Sequence, residues 1–224
     1  AKNAQEVTPM RSLIGLITLL TAGLTIAAHY LHPPRAWLVY LFKPLTTLLI
    51  LAVALAPGTF LADRYAGAIA LGLAFSLAGD VWLMLPRNGF LPGLLSFLFA
   101  HVCYIVAFLA APLAPGSAWP LLLLLPISGS LILRYLWPSL PPSLKGPVSL
   151  YVAIIALMAT LAVSRAMTYN DVATRSAALG ALLFFASDAA LAIDRFRRPF
   201  ALAHVVVLGS YFVGQLLIAL SVGR

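Results

Sequence analysis

The sequence predicts an all-α, polytopic membrane protein of eight transmembrane helices, with a candidate 4+4 internal repeat. Three observations predict it. Hydrophobic residues make up 62% of the 224 and charged residues only 9%, with a mean hydropathy of +1.02, whereas soluble domains carry about 25% charge. The apolar residues run in stretches of roughly the 20 needed to cross hydrocarbon, where a helix must satisfy its own backbone groups. Pro, Gly and charges gather at seven breaks: HPPR (32–35), PGTFLADR (57–64), PRNGFLPG (86–93), APLAPGS (111–117), PSLPPSLKGP (138–147), TYNDVATR (168–175) and DRFRRP (194–199).

The polar AKNAQEVTP, residues 1–9, reads as an appended or disordered tail before a start at Met10, and residues 10–224 as a single eight-helix domain. Span 1 (12–31) is too long for a signal-peptide core and reads as a retained helix. Spans 2 to 8 follow at 36–56, 65–85, 92–111, 118–137, 148–167, 175–194 and 200–221. Trp37, Tyr65, Trp82, Trp119, Tyr135, Trp137 and Tyr169 lie near their ends, as an interfacial aromatic belt requires. Charge does not orient the bundle: Lys2, Arg11, Arg64, Arg165, Arg175 and Arg224 on one side balance Arg35, Arg87, Arg134, Lys145, Arg195, Arg197 and Arg198 on the other.

The net charge of +8 is spread singly at the ends of apolar runs. That pattern fits anchoring to anionic lipid headgroups and gives no basic patch for nucleic acid. The lone Cys103 allows no disulfide framework. Oligomeric state is left open.

The repeat shows when spans 3 and 4 are set beside spans 7 and 8. AGDVWL and FLFAHVCY match ASDAAL and FALAHVVV, so that Asp80 corresponds to Asp188 and His101 to His204, while span 6 offers no residue that matches Lys43. Four helices per half preserve orientation and predict a pseudo-two-fold axis along the membrane normal.

Ionisable side chains in hydrocarbon are costly and normally face a bundle interior or a wet cavity. Helix direction alternates, so Lys43, Asp80, Asp188 and His204 fall in one leaflet half. Asp80 and Asp188 lie about 8–9 Å from their helix ends, with His101 deeper. Helical spacing collects His204, Tyr211 and Gln215 on one face of span 8, His101 and Tyr104 on span 4, Ser76 and Asp80 with Arg87 on span 3, and Tyr40, Lys43 and Thr47 on span 2. This predicts a polar cavity open toward Arg87 and the DRFRR loop. The plain alternatives are a snorkelling Lys43, an interfacial His204, hydrogen-bonded core tyrosines, a solvated Asp194–Arg198 loop, and aspartates merely paired with Lys43 or Arg87. No HExxH, CxxC, nucleotide-binding glycine pattern or GxSxG is present, and no helix carries two metal ligands at i, i+3 or i+4, so no metal is expected.

FSLAGDVWLML with GFLPGLLSFLFAHVCYIVAF, GALLFFASDAALAIDRF with SYFVGQLLIA, and KPLTTLLI together resemble the signatures of the YhhN family of lysoplasmalogenases, from about Leu38 to Leu220. The resemblance implies a multi-pass hydrolase of the bacterial inner membrane. It would cleave the vinyl ether of a lysophospholipid, the lysoplasmalogen, to a fatty aldehyde and glycerophosphoethanolamine or glycerophosphocholine, without metal or organic cofactor. On that footing one of Asp80 and Asp188 is the acid and the other stabilises an oxocarbenium ion and activates water. His101, Tyr104 and Tyr211 position water or relay protons, Lys43 and Arg87 hold the phosphate or the ionised carboxylate, and the alkenyl chain runs toward Phe97 and Phe184. Two other classes fit the same polar residues: a proton-coupled transporter, and a metal-dependent intramembrane lipid amidase or esterase.

Overall fold

The computed structural model describes residues 2–31, 35–85, 89–114 and 116–223, with side chains from Thr8 onward except at 117, 118 and 121; all regular structure among them is helical. The α-helices are α1 (Lys2–Tyr30), α2 (Ala36–Leu55), α3 (Arg64–Met84), α4 (Phe90–Phe108), α5 (Leu124–Leu136), α6 (Pro142–Tyr169), α7 (Val172–Phe196) and α8 (Ala203–Leu220). All but α5 are long and apolar enough to cross a membrane.

The fifth span is built in two pieces. A 3-10 helix over Gly116–Leu123 leads into the 13 residues of α5; at about 2.0 and 1.5 Å per residue the two reach ~35 Å, enough for the hydrocarbon thickness of roughly 30 Å. Pro120 and Pro126 lack the N–H that a continuous α-helix over 118–137 would use there.

Helix ends follow local chemistry. The Asp63 carboxylate accepts from Tyr65 N at 2.9 Å to cap α3, and Asp171 accepts from Thr174 N at 2.7 Å to cap α7. Asn170 ends α6 in the left-handed region, at φ 54°, which turns the chain directly into the Asp171 cap.

Packing repeats between the halves. Helix α3 lies on α4 as α7 lies on α8, α2 on α3 as α6 on α7, and α2 on α8 as α6 on α4. The spacing of 108 residues that relates Asp80 to Asp188 also relates the caps Asp63 and Asp171, and Gly72 to Gly180. Both glycines permit close approach. A Cβ on Gly72 would meet the Tyr104 ring at 2.3 Å, and one on Gly180 would meet the Gly214 carbonyl oxygen at 2.5 Å. The symmetry fails at the first helix of each half. Helix α1 packs on both α2 and α8, whereas α5 packs on α6 and only lightly on α7.

Outside, Leu16, Leu20, Leu131 and Val172 are largely exposed, a surface that only lipid would cover. Trp37, Trp82, Trp119 and Trp137 are likewise exposed near helix or 3-10 ends, as membrane-interface residues are. Inside, Thr46 Oγ1 donates to Thr21 Oγ1 at 2.9 Å across α1 and α2, and the buried Arg11 guanidinium donates to the Ala219 carbonyl at 3.1 Å across α1 and α8.

Candidate active site

Polar residues of α2, α3, α7 and α8 converge on a cavity of about 450 Å³ at the end of the bundle where α3 and α7 finish, whereas the α4 stripe of His101 and Tyr104 does not line it. Lys43, Asp80, Asp188, His204 and Tyr211 all line it. The two aspartates therefore share one cavity, yet they are held differently.

Asp80 is buried and fully partnered. Lys43 Nζ lies 3.2 Å from Oδ1, and Oδ2 accepts from Thr47 Oγ1 at 2.5 Å and from Tyr211 Oη at 2.7 Å. A cation and two hydroxyl donors, from α2 and α8, surround both of its oxygens. Lys43 is thus committed to Asp80.

Asp188 lies at the cavity wall, its side chain 16% exposed. Tyr151 Oη, from α6, donates to Oδ2 at 2.5 Å, and His101 Nε2 stands 4.0 Å from the same oxygen, beyond hydrogen-bond reach. No Lys or Arg ion pair to Asp188 occurs among the described residues. Oδ1 accepts no bond from them either, so it is the oxygen able to carry a proton toward the cavity.

Tyr151 was not among the residues singled out from sequence. It sits 108 positions after Lys43, the spacing that relates Asp80 to Asp188. The repeat therefore carries a lysine beside one aspartate and a neutral phenol beside the other.

His101 is fully buried, and neither ring nitrogen has a partner. Its ring packs edge-on against Tyr151 at 5.2 Å and Phe184 at 4.7 Å between centroids. Phe184 continues to Tyr211 at 5.3 Å, and Phe97 to Tyr211 at 5.7 Å. An unbroken set of rings thus links the neighbours of one carboxylate to those of the other. Phe97 lines the cavity, while Phe184 is enclosed among these rings.

The remaining sequence candidates divide by depth. One turn farther from the mouth, Tyr104 Oη donates to Gln215 Oε1 at 2.7 Å, and Ser76 is buried one turn below Asp80. These three lie buried beneath the cavity and do not line it. His204 lies at the mouth, exposed, its ring 4.1 Å from that of His29, whose Nδ1 is 2.9 Å from the Thr25 carbonyl oxygen. Arg35 and Arg195 share the mouth, with Arg195 stacked 4.1 Å over Phe90. Arg87 lies outside the described residues. No group of three His, Cys, Asp or Glu side chains placed to hold a metal occurs among the described residues.

A multi-helix membrane bundle with one ion-paired and one unpaired carboxylate in a common cavity defines a class: an integral membrane protein with an intramembrane acid pair. The YhhN family model matches residues 38–222, and the chain belongs to that family. Its relatives include the membrane protein YhhN of Escherichia coli O157:H7, 31% identical over 90% of this chain and 94% of that protein. Lysoplasmalogenase TMEM86A of Bos taurus is 33% identical over 83% of this chain and 78% of its own length. Lysoplasmalogenase TMEM86B of Homo sapiens is 38% identical over 68% of this chain and 62% of its own. No solved structure matches significantly.

Proposed function

We propose that this protein is a lysoplasmalogenase that hydrolyses the vinyl ether of lysoplasmalogens, releasing a fatty aldehyde and glycerophosphoethanolamine or glycerophosphocholine. Relatives bearing that name support the reaction. The observation that carries the mechanism is the unequal partnering of Asp80 and Asp188 within one cavity.

Vinyl ether cleavage starts with a proton delivered to the β-carbon, which leaves an oxocarbenium ion at the α-carbon. Asp188 is the acid: its Oδ2 is held by Tyr151, leaving Oδ1 to present the proton. Asp80, held by Lys43, Thr47 and Tyr211, is the carboxylate that faces the developing cation. The aromatic rings of Phe97 and Tyr211, which line the cavity, add attraction for a cation. Water then adds to the α-carbon, and its proton returns to the Asp188 carboxylate, restoring the acid. The resulting hemiacetal moves its hydroxyl proton to the ether oxygen as the C–O bond breaks, giving aldehyde and alcohol. His101, buried behind Asp188 with its ring packed against Tyr151, helps hold that phenol on the carboxyl group. The same division of labour between two carboxyl groups serves glycosidases on a related cation.

The test is aldehyde release from lysoplasmenylethanolamine by purified protein, beside Asp80→Asn and Asp188→Asn. Asp188→Asn loses the acid and is expected to fall by about 10²–10⁴; Asp80→Asn loses the fixed charge and is expected to fall by about 10²–10³. Full turnover in both variants would sink the mechanism. Inactive wild type together with proton-dependent uptake in proteoliposomes would point to a transporter.

A further inference from the structure

A second cavity opens beside Asp188. It is small, about 70 Å³ against the 450 Å³ of the first, and its wall comes from α4, α5, α6 and α7 with Leu83 of α3. Those helices are the repeat counterparts of α8, α1, α2 and α3, which supply most of the first cavity. The duplicated bundle thus has a first cavity that meets both aspartates and a second that meets Asp188 alone.

Their linings have diverged. Where the first half presents Tyr40 and Lys43 from α2, the second presents Val148 and Tyr151 from α6, and Leu94, Gly129, Ile132 and Val152 complete an apolar wall. Only Tyr151, Asp188 and Arg195 bring polar groups to it. The two cavities adjoin, with Leu83, Phe90, Phe97, Asp188, Leu191 and Arg195 lining both. The cause of the second lies in the broken symmetry: α5 leans on α6 instead of bridging to α4 as α1 bridges to α8, and Gly129 lets it lean closely, because a Cβ there would come within 3.2 Å of Val152 Cγ1.

From this we infer that the cavity between α4, α5, α6 and α7 is the hydrocarbon-chain subsite, and that Ile132 and Val152 set the accepted chain length. The inference rests on the lysoplasmalogenase reading for the identity of the substrate. A vinyl ether is the boundary between a polar glycerophosphate and an apolar chain, and Asp188 stands at the boundary between a polar and an apolar cavity. Headgroup in one and chain in the other places the scissile bond against the acid. The apolar lining gives a chain placed there a driving force proportional to the area removed from water.

The experiment compares wild type with Ile132→Trp, Val152→Phe and the enlarging variant Ile132→Ala, on two helices so that one failure to fold leaves the other informative. The first readout is the ratio of kcat/KM for long-chain over short-chain lysoplasmenylethanolamine. The second needs no turnover: the rise in melting temperature given by non-hydrolysable alkyl-ether lysophospholipids of the same two lengths. The filling variants are expected to lower the long-to-short ratio at least about tenfold, the order of effect of a methylene-sized misfit in an apolar pocket, and to erase the long-chain advantage in melting. Ile132→Ala is expected to raise the preference for long chains. An unchanged ratio and unchanged melting preference in folded variants would overturn the subsite. If wild type cleaves no vinyl ether but the melting preference follows the cavity size, the chain subsite stands while the reaction reading fails.

Discussion

Tyr151 occupies, beside Asp188, the place that Lys43 occupies beside Asp80. One side chain donates from 2.5 Å as a neutral phenol and the other sits at 3.2 Å as a cation. The proposed division of the two carboxyl groups into proton donor and counter-charge rests on that difference between the repeats.

The first prediction concerns Tyr151 as a positioning residue. Tyr151→Phe removes the donor that fixes Asp188 Oδ2 and is expected to lower kcat by about 10²-fold, the cost of a mispositioned reacting group, with KM little changed. Tyr151→Lys makes the two halves alike by holding Asp188 as a carboxylate, and is expected to abolish turnover while the protein still melts cooperatively. Comparing kcat and KM for both variants checks this. A Tyr151→Lys protein with wild-type kcat would refute the assignment of the acid.

The second concerns the ion pair. Lys43→Met leaves the Asp80 charge buried without its cation, and breaking a buried pair from one side costs about 3–5 kcal/mol. The variant is expected to melt well below wild type. Lys43→Met with Asp80→Leu removes both charges and is expected to recover most of that stability, but no activity. Thermal melting of the three proteins in the same detergent, beside aldehyde release, separates the structural loss from the catalytic one.

The spans and the shared cavity were legible in the sequence because hydropathy, Pro and Gly breaks, and helix direction fix depth. Asp80 and Asp188 at matching depths implied a common site, and the structure brings them to one cavity. Tyr151 was hidden for a chemical reason. A repeat search seeks like residues, and its counterpart is a lysine; a tyrosine within a few residues of the start of span 6 also looks like any interfacial aromatic. His204 shares a helical stripe with Tyr211 and Gln215, yet periodicity fixes only the face. Depth separates them, so His204 meets His29 at the mouth while Gln215 meets Tyr104 beneath the cavity. The two-part fifth span depends on where Pro120 and Pro126 interrupt backbone donors, which a hydropathy window averages away.

The third prediction is a pH dependence outside the membrane-spanning segments. Asp171, accepting from the Thr174 backbone N–H, is held below the ordinary carboxylate pKa. A folded-state pKa below the unfolded value of about 3.9 means that the cap stabilises fully above that pH and is lost as pH falls through the lowered value. Asp171→Ala is expected to cost about 1 kcal/mol at neutral pH, and the gap in melting temperature from wild type is expected to close below about pH 3. A gap that persists undiminished in acid would contradict the capping role.

The fourth tests whether the site depends on helix contact at a distance from the chemistry. Gly180 and Gly214 bring the α7 and α8 backbones together, and a Cβ on either would approach the other's carbonyl oxygen at 2.5 or 2.7 Å. Backbone cannot swing aside as a side-chain tip can, so Gly180→Ala and Gly214→Ala are each expected to cost about 1–3 kcal/mol by overpacking. Separating α7 from α8 also separates Asp188 from Tyr211, and with it the acid from the group that holds Asp80. Turnover is therefore expected to drop in the fraction that remains folded. Gly209, on the same helix α8, has nothing within 4 Å of a built Cβ; Gly209→Ala is expected to leave stability unchanged or raise it by up to about 1 kcal/mol. Melting curves and aldehyde release for the three variants distinguish a packing requirement at Gly180 and Gly214 from a general intolerance of alanine in these helices.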